Sequence, residues 1–227
     1  TWGKRNDLVK LLFLLGQINS LDIQNRIVHE NNLHKDIIQG NFFDAYQNLT
    51  YKHIMALKWT TYFCISAKFI LKADDDIFVN TPFLMKFLSK DIFPHGARKL
   101  ILCSVYLRSF VKRSYRSKWR VSPIEYKDSY YPAYCAGFGI IYSSDVMIQL
   151  YEKAQKSKYF WIDDVFITGI LATQLNLSRM TIEPLVLTEN KLNDMLNNDD
   201  VNSEMFIFGP PNLSDSKIEK LWSLTNK

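Results

Sequence analysis

The chain has 227 residues, 47% of them hydrophobic and 14% aromatic, enough to bury a sizeable core and far too apolar for a disordered segment. Its net charge of +5 is mild, and its longest apolar run, Leu11 to Leu15, falls well short of the ~20 residues a membrane helix needs. Three cysteines, Cys64, Cys103 and Cys135, lack Cys-x-x-Cys spacing, which argues against a zinc site and leaves room for one disulfide plus one free thiol.

In chain order, Lys10 to Gly16 reads as a short strand. Asp44 to Phe63 reads as a helix, with Leu49, His53, Ala56, Thr60 and Phe63 on one face. Phe69 to Ala73 is a buried strand running into three acids. Thr81-Pro82 reads as a helix start, with Thr81 as N-cap. Lys99 to Tyr106 is a strand, and 108–120 a basic loop. Tyr130 to Tyr134 leads through a glycine-punctuated turn into a strand ending near Tyr142. Ser144 caps a helix to about Lys156. Trp161 to Leu175 is helical, with Asp163 and Asp164 at its N-terminus. Thr181 to Leu187 is a short strand, 189–203 an Asn/Asp-rich loop, and Ser214 caps a last helix bearing Ile218, Leu221 and Trp222. Alternating strands and helices predict an α/β/α sandwich with a mainly parallel central sheet, in one domain over 1–227, with ligands at the strand carboxyl ends.

Three segments carry chemistry. Asp74-Asp75-Asp76 lies between Phe69-Ile70-Leu71 and Ile77-Phe78-Val79, so the carboxylates stand at a strand end where a divalent cation would offset their repulsion. Trp161-Ile162-Asp163-Asp164-Val165-Phe166 places two more carboxylates between large apolar residues; either serves as a general base if it faces the same cleft, and helix capping is the bland alternative. In Tyr131-Pro132-Ala133-Tyr134-Cys135-Ala136-Gly137-Phe138-Gly139, aromatic rings could stack on sugar faces and glycines admit a ligand to the backbone. Arg108, Lys112, Arg113, Arg116, Lys118 and Arg120 form either an anion site or a solvated loop. Asn48, Asn176 and Asn212 open N-x-[Ser/Thr] sequons, which fit a secretory compartment.

Taken in this order, the segments resemble the β-1,3-galactosyltransferase-like family of inverting glycosyltransferases. Thr1-Trp2-Gly3, Phe13 to Gly16, Glu30, Asp36-Ile37-Ile38, Phe43 to Lys52, Trp59, Lys72 to Asn80, Lys118-Trp119, Ser122, Tyr126 and Tyr131 to Gly139 carry the match, which extends to about Leu187. The resemblance implies a GT-A-type, Rossmann-like fold and transfer of a hexose from a UDP-sugar to a hydroxyl of a glycan on protein or lipid, forming a β-1,3 linkage. It implies Mn²⁺, with Mg²⁺ the alternative, held by Asp76 and Asp74. It gives donor contacts to Asp75, Lys72 and Trp2, and the catalytic base to Asp164. Acceptor contacts fall to Asp163, Tyr134, Gly137, Gly139 and Trp119.

Two departures stand out. Asp163 occupies a position where most relatives carry Glu, and the four histidines, His29, His34, His53 and His95, all precede the base, so no late histidine is available as a metal ligand. Relatives of this kind are type II membrane proteins of the Golgi with a lumenal catalytic domain. The opening at Thr1 without Met therefore predicts an upstream anchor outside this chain, and membrane contact only through it. Two rivals are a glycosyltransferase-like binding protein or chaperone without turnover, which retention of Asp76 and Asp164 argues against, and a metal-dependent nuclease. The second lacks the usual His or Lys near its acids, so no nucleic-acid partner is expected.

Overall fold

The computed structural model describes residues 9–92, 98–199 and 204–225. Trp2 and His95 lie outside the described residues. The chain begins with β1 (Phe13–Gln17), α1 (Leu21–His34) and β2 (Ile37–Phe43), with β1 and β2 paired in parallel. Asp44 then pins this unit to the next helix: its Oδ2 accepts from the Gly16 N–H at 2.7 Å while Lys52 Nζ reaches its Oδ1 at 2.7 Å. Burial would raise the Asp44 pKa, but these bonds and the lysine charge outweigh it and hold the carboxyl below its usual range.

A short 3₁₀ turn, Tyr46–Asn48, leads into α2 (Leu49–Phe63). The face expected to be buried is rotated. Thr50, His53 and Leu57 are the buried residues, and Phe63 is 70% exposed. Polar partners explain the choice: the Thr50 hydroxyl donates to Phe160 O at 2.8 Å, and His53 has a bond at each ring nitrogen. A polar residue with its bonds made can be buried in place of an apolar one.

β3 (Phe69–Ala73) follows, then α3 (Thr81–Phe87), which continues as a π-helical turn over Leu88–Ile92. The cap of α3 is Asn80 rather than Thr81; its side chain accepts from Phe83 N at 3.2 Å, with Thr81 and Pro82 inside the first turn. Next come β4 (Leu100–Tyr106), the short pair β5 (Ser109–Phe110) and β6 (Tyr130–Tyr131), β7 (Tyr134–Ser143), and α4 (Ser144–Gln155), whose N-cap position is Ser143 rather than Ser144, without a side-chain capping bond. Gly137 and Gly139 sit inside β7, not in a turn. Val165–Leu171 is π-helical and runs into α5 (Ala172–Gln174), followed by β8 (Ser178–Thr181). The strand expected over 181–187 is instead the end of β8 plus a 3₁₀ turn, Glu183–Leu185, which contains Pro184. α6 (Glu189–Asn198) replaces the expected loop, because Leu192 and Met195 fall three residues apart on one buried face and Thr188 caps its start. α7 (Asp215–Thr225) closes the chain.

The main sheet has the order β3-β7-β4-β8. β7 is antiparallel to β3 and β4, and β8 is parallel to β4, so three strands point one way and β7 runs against them. Alternate residues serve opposite faces. Ile101, Ile140 and Tyr142 meet Leu57, Leu150 and Phe166 on one side, whereas Leu102 and Ile141 meet Leu84, Leu88 and Phe208 on the other. Helices therefore cover both faces in an α/β/α arrangement, consistent with a GT-A-like fold. Cys103 and Cys135 join β4 to β7 in a disulfide, and Cys64 is the free thiol.

Candidate active site

β3 ends at Ala73, opposite Gly139 of β7, and its register delivers the three acids just beyond the sheet. The Asp74 N–H donates to Phe138 O at 3.0 Å. Asp74 and Asp75 are exposed and Asp76 is half-buried. The segment after them is clamped by residues near the C-terminus: Leu213 N donates to Asp76 O, Gly209 N to Phe78 O, and Asn80 N to Ile207 O, each at 2.8 Å. Among the described residues no three His, Cys, Asp or Glu side chains converge into a group that would hold an ion unaided. Three hard-oxygen carboxylates at an exposed strand end do fit Mn²⁺ or Mg²⁺ as part of a shell that phosphate oxygens and water complete.

Lys72 links this triplet to the second acidic pair. Its Nζ lies 2.5 Å from Asp74 Oδ1 and 2.5 Å from Gly137 O. Gly137 in turn borders Asp164: a methyl group there would stand 3.5 Å from Asp164 Oδ2. Lys72 and Gly137 thus bring together two acidic segments that the sequence separates by about ninety residues.

Asp164 opens the π-helical segment as its N-cap, with Oδ1 accepting from Val165 N at 2.7 Å. The Asp164 carbonyl accepts from Thr168 Oγ1 at 2.6 Å, and that oxygen also accepts from Cys135 N at 2.9 Å, so the helix start is tied to β7. Burial, and next the adjacent Asp163 charge, push the Asp164 pKa up to about 7; the Val165 N–H and Lys72 oppose the rise without cancelling it. A helix N-terminus alone would favour the ionised form, but here desolvation and the neighbouring carboxylate win. Asp163 goes the other way. Burial would raise it, but the bond and charge of His53, with Lys72 behind, hold it below the usual carboxylate range. The Asp163 side chain is 15% exposed and the His53 side chain 2%.

An aromatic cluster lies near the acids. Trp119 Nε1 donates to the Tyr46 hydroxyl at 2.7 Å, Lys118 Nζ lies 4.4 Å from the Trp119 ring centre, and Trp161 meets Tyr46 edge-on at 6.5 Å. Burial raises the Tyr46 pKa, and the charges of Asp164, Asp163 and Asp74 add to it, so this hydroxyl lies within range of both acidic segments. Tyr134 lies within the field of Asp164 and packs 5.4 Å from the Tyr106 ring. Gly139, by contrast, has its missing side chain accounted for by packing. A methyl group there would come 2.8 Å from Phe208 Cζ, so the Phe208 ring packs directly against this glycine.

The basic loop is largely consumed by its own structure. Arg113 donates to the carbonyls of Val121, Tyr126 and Asp128 at 2.8–2.9 Å, Arg120 stacks 3.8 Å from the Tyr115 ring, and Arg108 4.1 Å from that of Tyr130. That arrangement favours the loop reading over an anion site. Of the residues around the acids, sequence reasoning did not assign Tyr46, Tyr142 or His53 to the site. His53 was visible only as one more position on a helical face, although a histidine at a buried face position always needs a partner for each ring nitrogen.

The galactosyltransferase family model matches residues 1–183. Over 181 residues the chain is 35% identical to beta-1,3-galactosyltransferase 5 of Homo sapiens, covering 78% of this chain and 57% of the relative. It is 38% identical over 189 residues to lactosylceramide 1,3-N-acetyl-beta-D-glucosaminyltransferase A of Xenopus laevis, with 78% and 49% covered, and 35% identical over 183 residues to beta-1,3-galactosyltransferase 1 of Mus musculus, with 78% and 55% covered. The chain spans at most 60% of the length of these and similar curated relatives. With four-fifths of its length matched in order, and the acidic segments inside the match, the chain belongs to the galactosyltransferase family.

Proposed function

We propose that the chain carries the catalytic region of an inverting glycosyltransferase, moving galactose or an N-acetylhexosamine from a UDP-sugar to a glycan hydroxyl with β-1,3 linkage. The observation that carries this reading is the Asp164 carboxylate: its pKa is raised to about 7, the partly exposed Gly137 borders its Oδ2, and Lys72 connects Gly137 to the acidic triplet. A base of that strength is matched to a hydroxyl proton at neutral pH.

Asp164 accepts the proton of the acceptor hydroxyl as the new bond from that oxygen to the anomeric carbon forms. The bond from the anomeric carbon to the UDP oxygen breaks on the opposite face, and UDP leaves with the electron pair. Attack from opposite the leaving group turns an α-linked donor into a β-linked product. Asp76 and Asp74 are the residues that would hold Mn²⁺, or Mg²⁺ in its place, and the ion supplies positive charge against the departing diphosphate. Asp75 and Lys72 stand on the donor side. The cluster of Trp119 and Tyr46, with Tyr134 and Gly137, offers ring faces and open backbone to the acceptor sugar. The activities in the relatives' names, galactosyl and N-acetylglucosaminyl transfer, support this donor class. A disulfide and exposed sequons support a lumenal, secretory setting, and the Golgi membrane is the location we assign to the full-length protein.

UDP release, measured with a panel of UDP-sugars and glycan acceptors with and without Mn²⁺, tests the reading. Release should require both acceptor and metal ion, and Asp164→Asn should lower it by about 10²–10⁴-fold with donor binding retained. Turnover in Asp164→Asn equal to the parent overturns the assignment of the base. Donor binding without turnover in the parent favours a binding protein instead.

A further inference from the structure

His53 reaches in two directions from the buried face of α2. Its Nδ1 lies 3.0 Å from Asp163 Oδ2 and its Nε2 3.1 Å from the Tyr142 hydroxyl. Tyr142 is fully buried, and burial, with the Asp163 and Asp164 charges added, drives its ionisation well above the usual value, so the hydroxyl keeps its proton. One arrangement of protons satisfies all three groups. The Tyr142 O–H donates to Nε2, and Nδ1–H donates to Asp163. Either protonation state with a proton on Nδ1 directs an N–H at Asp163.

Two adjacent carboxylates at one helix start cannot both take the same proton, and surroundings decide which holds it. Asp163 has an imidazole N–H directed at it from another element. Asp164 has its backbone bond to Val165 N on one oxygen and the partly exposed Gly137 beside the other. We propose that His53, braced by Tyr142, is a positioning residue that anchors the Asp163 carboxylate and thereby leaves Asp164 as the member of the pair that takes the acceptor proton. This rests on the transferase reading above.

The other side chains facing the pair either act on both carboxylates or carry no charge. Lys72, from β3, acts on both carboxylates in the same direction. Tyr46 from the 3₁₀ turn, Tyr131 and Tyr134 from β6 and β7, and Tyr159 ahead of the π-helical segment all have their ionisation raised by burial and stay neutral. His53 alone among these contacts one carboxylate and not the other.

The test is the acidic limb of the pH profile of kcat/KM. In the parent it should lie near 7. His53→Leu frees Asp163 to share the proton, so part of the population has Asp164 ionised at lower pH; the limb should move down by about one unit, a tenfold change in proton affinity, and the plateau should fall. Asp163→Asn should move it at least as far, and the double variant should lie where Asp163→Asn does, because His53 acts through Asp163. His53→Asn, whose amide N–H can take the place of Nδ1–H, should recover part of the shift. A plateau that falls with the limb unmoved marks a purely structural role and overturns the proposal, as do fully additive shifts.

Should His53→Leu fail to fold, ¹⁵N shifts of the His53 ring in the parent serve instead. A ring carrying a proton on Nδ1 supports the proposal, and an Nε2–H ring with a bare Nδ1 towards Asp163 overturns it. Failure of the transferase reading looks different: a parent that releases no UDP, or an Asp164→Asn variant that still turns over.

Discussion

Asp164 shows how one residue's surroundings reverse what its local position favours. A carboxylate at a helix N-terminus is ordinarily stabilised as the anion, yet burial and Asp163 raise this one to about 7. The consequence for stability has a definite sign. The folded state binds the Asp164 proton more tightly than the unfolded chain does, so this residue's contribution is full at low pH and is lost as pH rises through about 7. Asp164→Asn should therefore melt several degrees above the parent at about pH 8 and lose that advantage by about pH 4, in thermal scans without ligand. The two glycines of β7 separate in the same way. Gly139→Ala forces a methyl against the Phe208 ring and should cost about 1–3 kcal/mol in denaturant unfolding. Gly137→Ala meets Asp164 at ordinary contact distance, so stability should hold while transfer falls, because the methyl occupies the flank where the acceptor hydroxyl must approach.

At the scale of elements, β7 organises the site. It pairs with β3 and β4, carries the Gly137 carbonyl that Lys72 grips, and supplies Tyr142 to His53. Its disulfide to β4 encloses a segment with a sequence separation of 32, for which the chain-entropy estimate is about 3–4 kcal/mol. Reduction, or Cys103→Ala with Cys135→Ala, should lower the melting temperature clearly; an unchanged value would show that strand pairing alone holds this edge. Elements also account for what the sequence hid. The α6 pattern was obscured by Asn and Asp, which are weak helix formers, although Leu192 and Met195 keep helical spacing and supply the burial that stabilises it. On α2 the apolar count favoured one face, and hydrogen bonds to Phe160, Asp163 and Tyr142 selected another.

The whole molecule decides which sequons are usable. Asn48 donates from its side chain to Phe43 O at 2.8 Å, and Thr50 of the same sequon is fully buried with its hydroxyl bonded to Phe160 O. Asn176 and Asn212 are exposed turn residues with φ of 54° and 61°, a left-handed conformation that Asn tolerates better than most residues. Expressed through a secretory pathway, the protein should carry glycans at Asn176 and Asn212 and leave Asn48 empty once folded, as read by peptide mass spectrometry after enzymatic deglycosylation. Glycan at Asn48 in the folded protein would contradict the bonding of the α2 start.

Much of this protein is written locally. Apolar runs predict the strands of the main sheet, caps and a proline mark the starts of α3, α4 and α7 to within a residue, and carboxylates set between large apolar residues announce both acidic segments, because these signals act within a few residues of chain. What joins the segments is not local. His53 and Asp163 are 110 residues apart, and Lys72 and Gly137 are 65 apart. Only packing of α2 against β7 and the π-helical segment brings the imidazole to one carboxylate and not to its neighbour. The difference between two adjacent aspartates is therefore a property of the tertiary structure: identical side chains differ in proton affinity only through burial, charge and hydrogen bonds contributed from elsewhere in the chain.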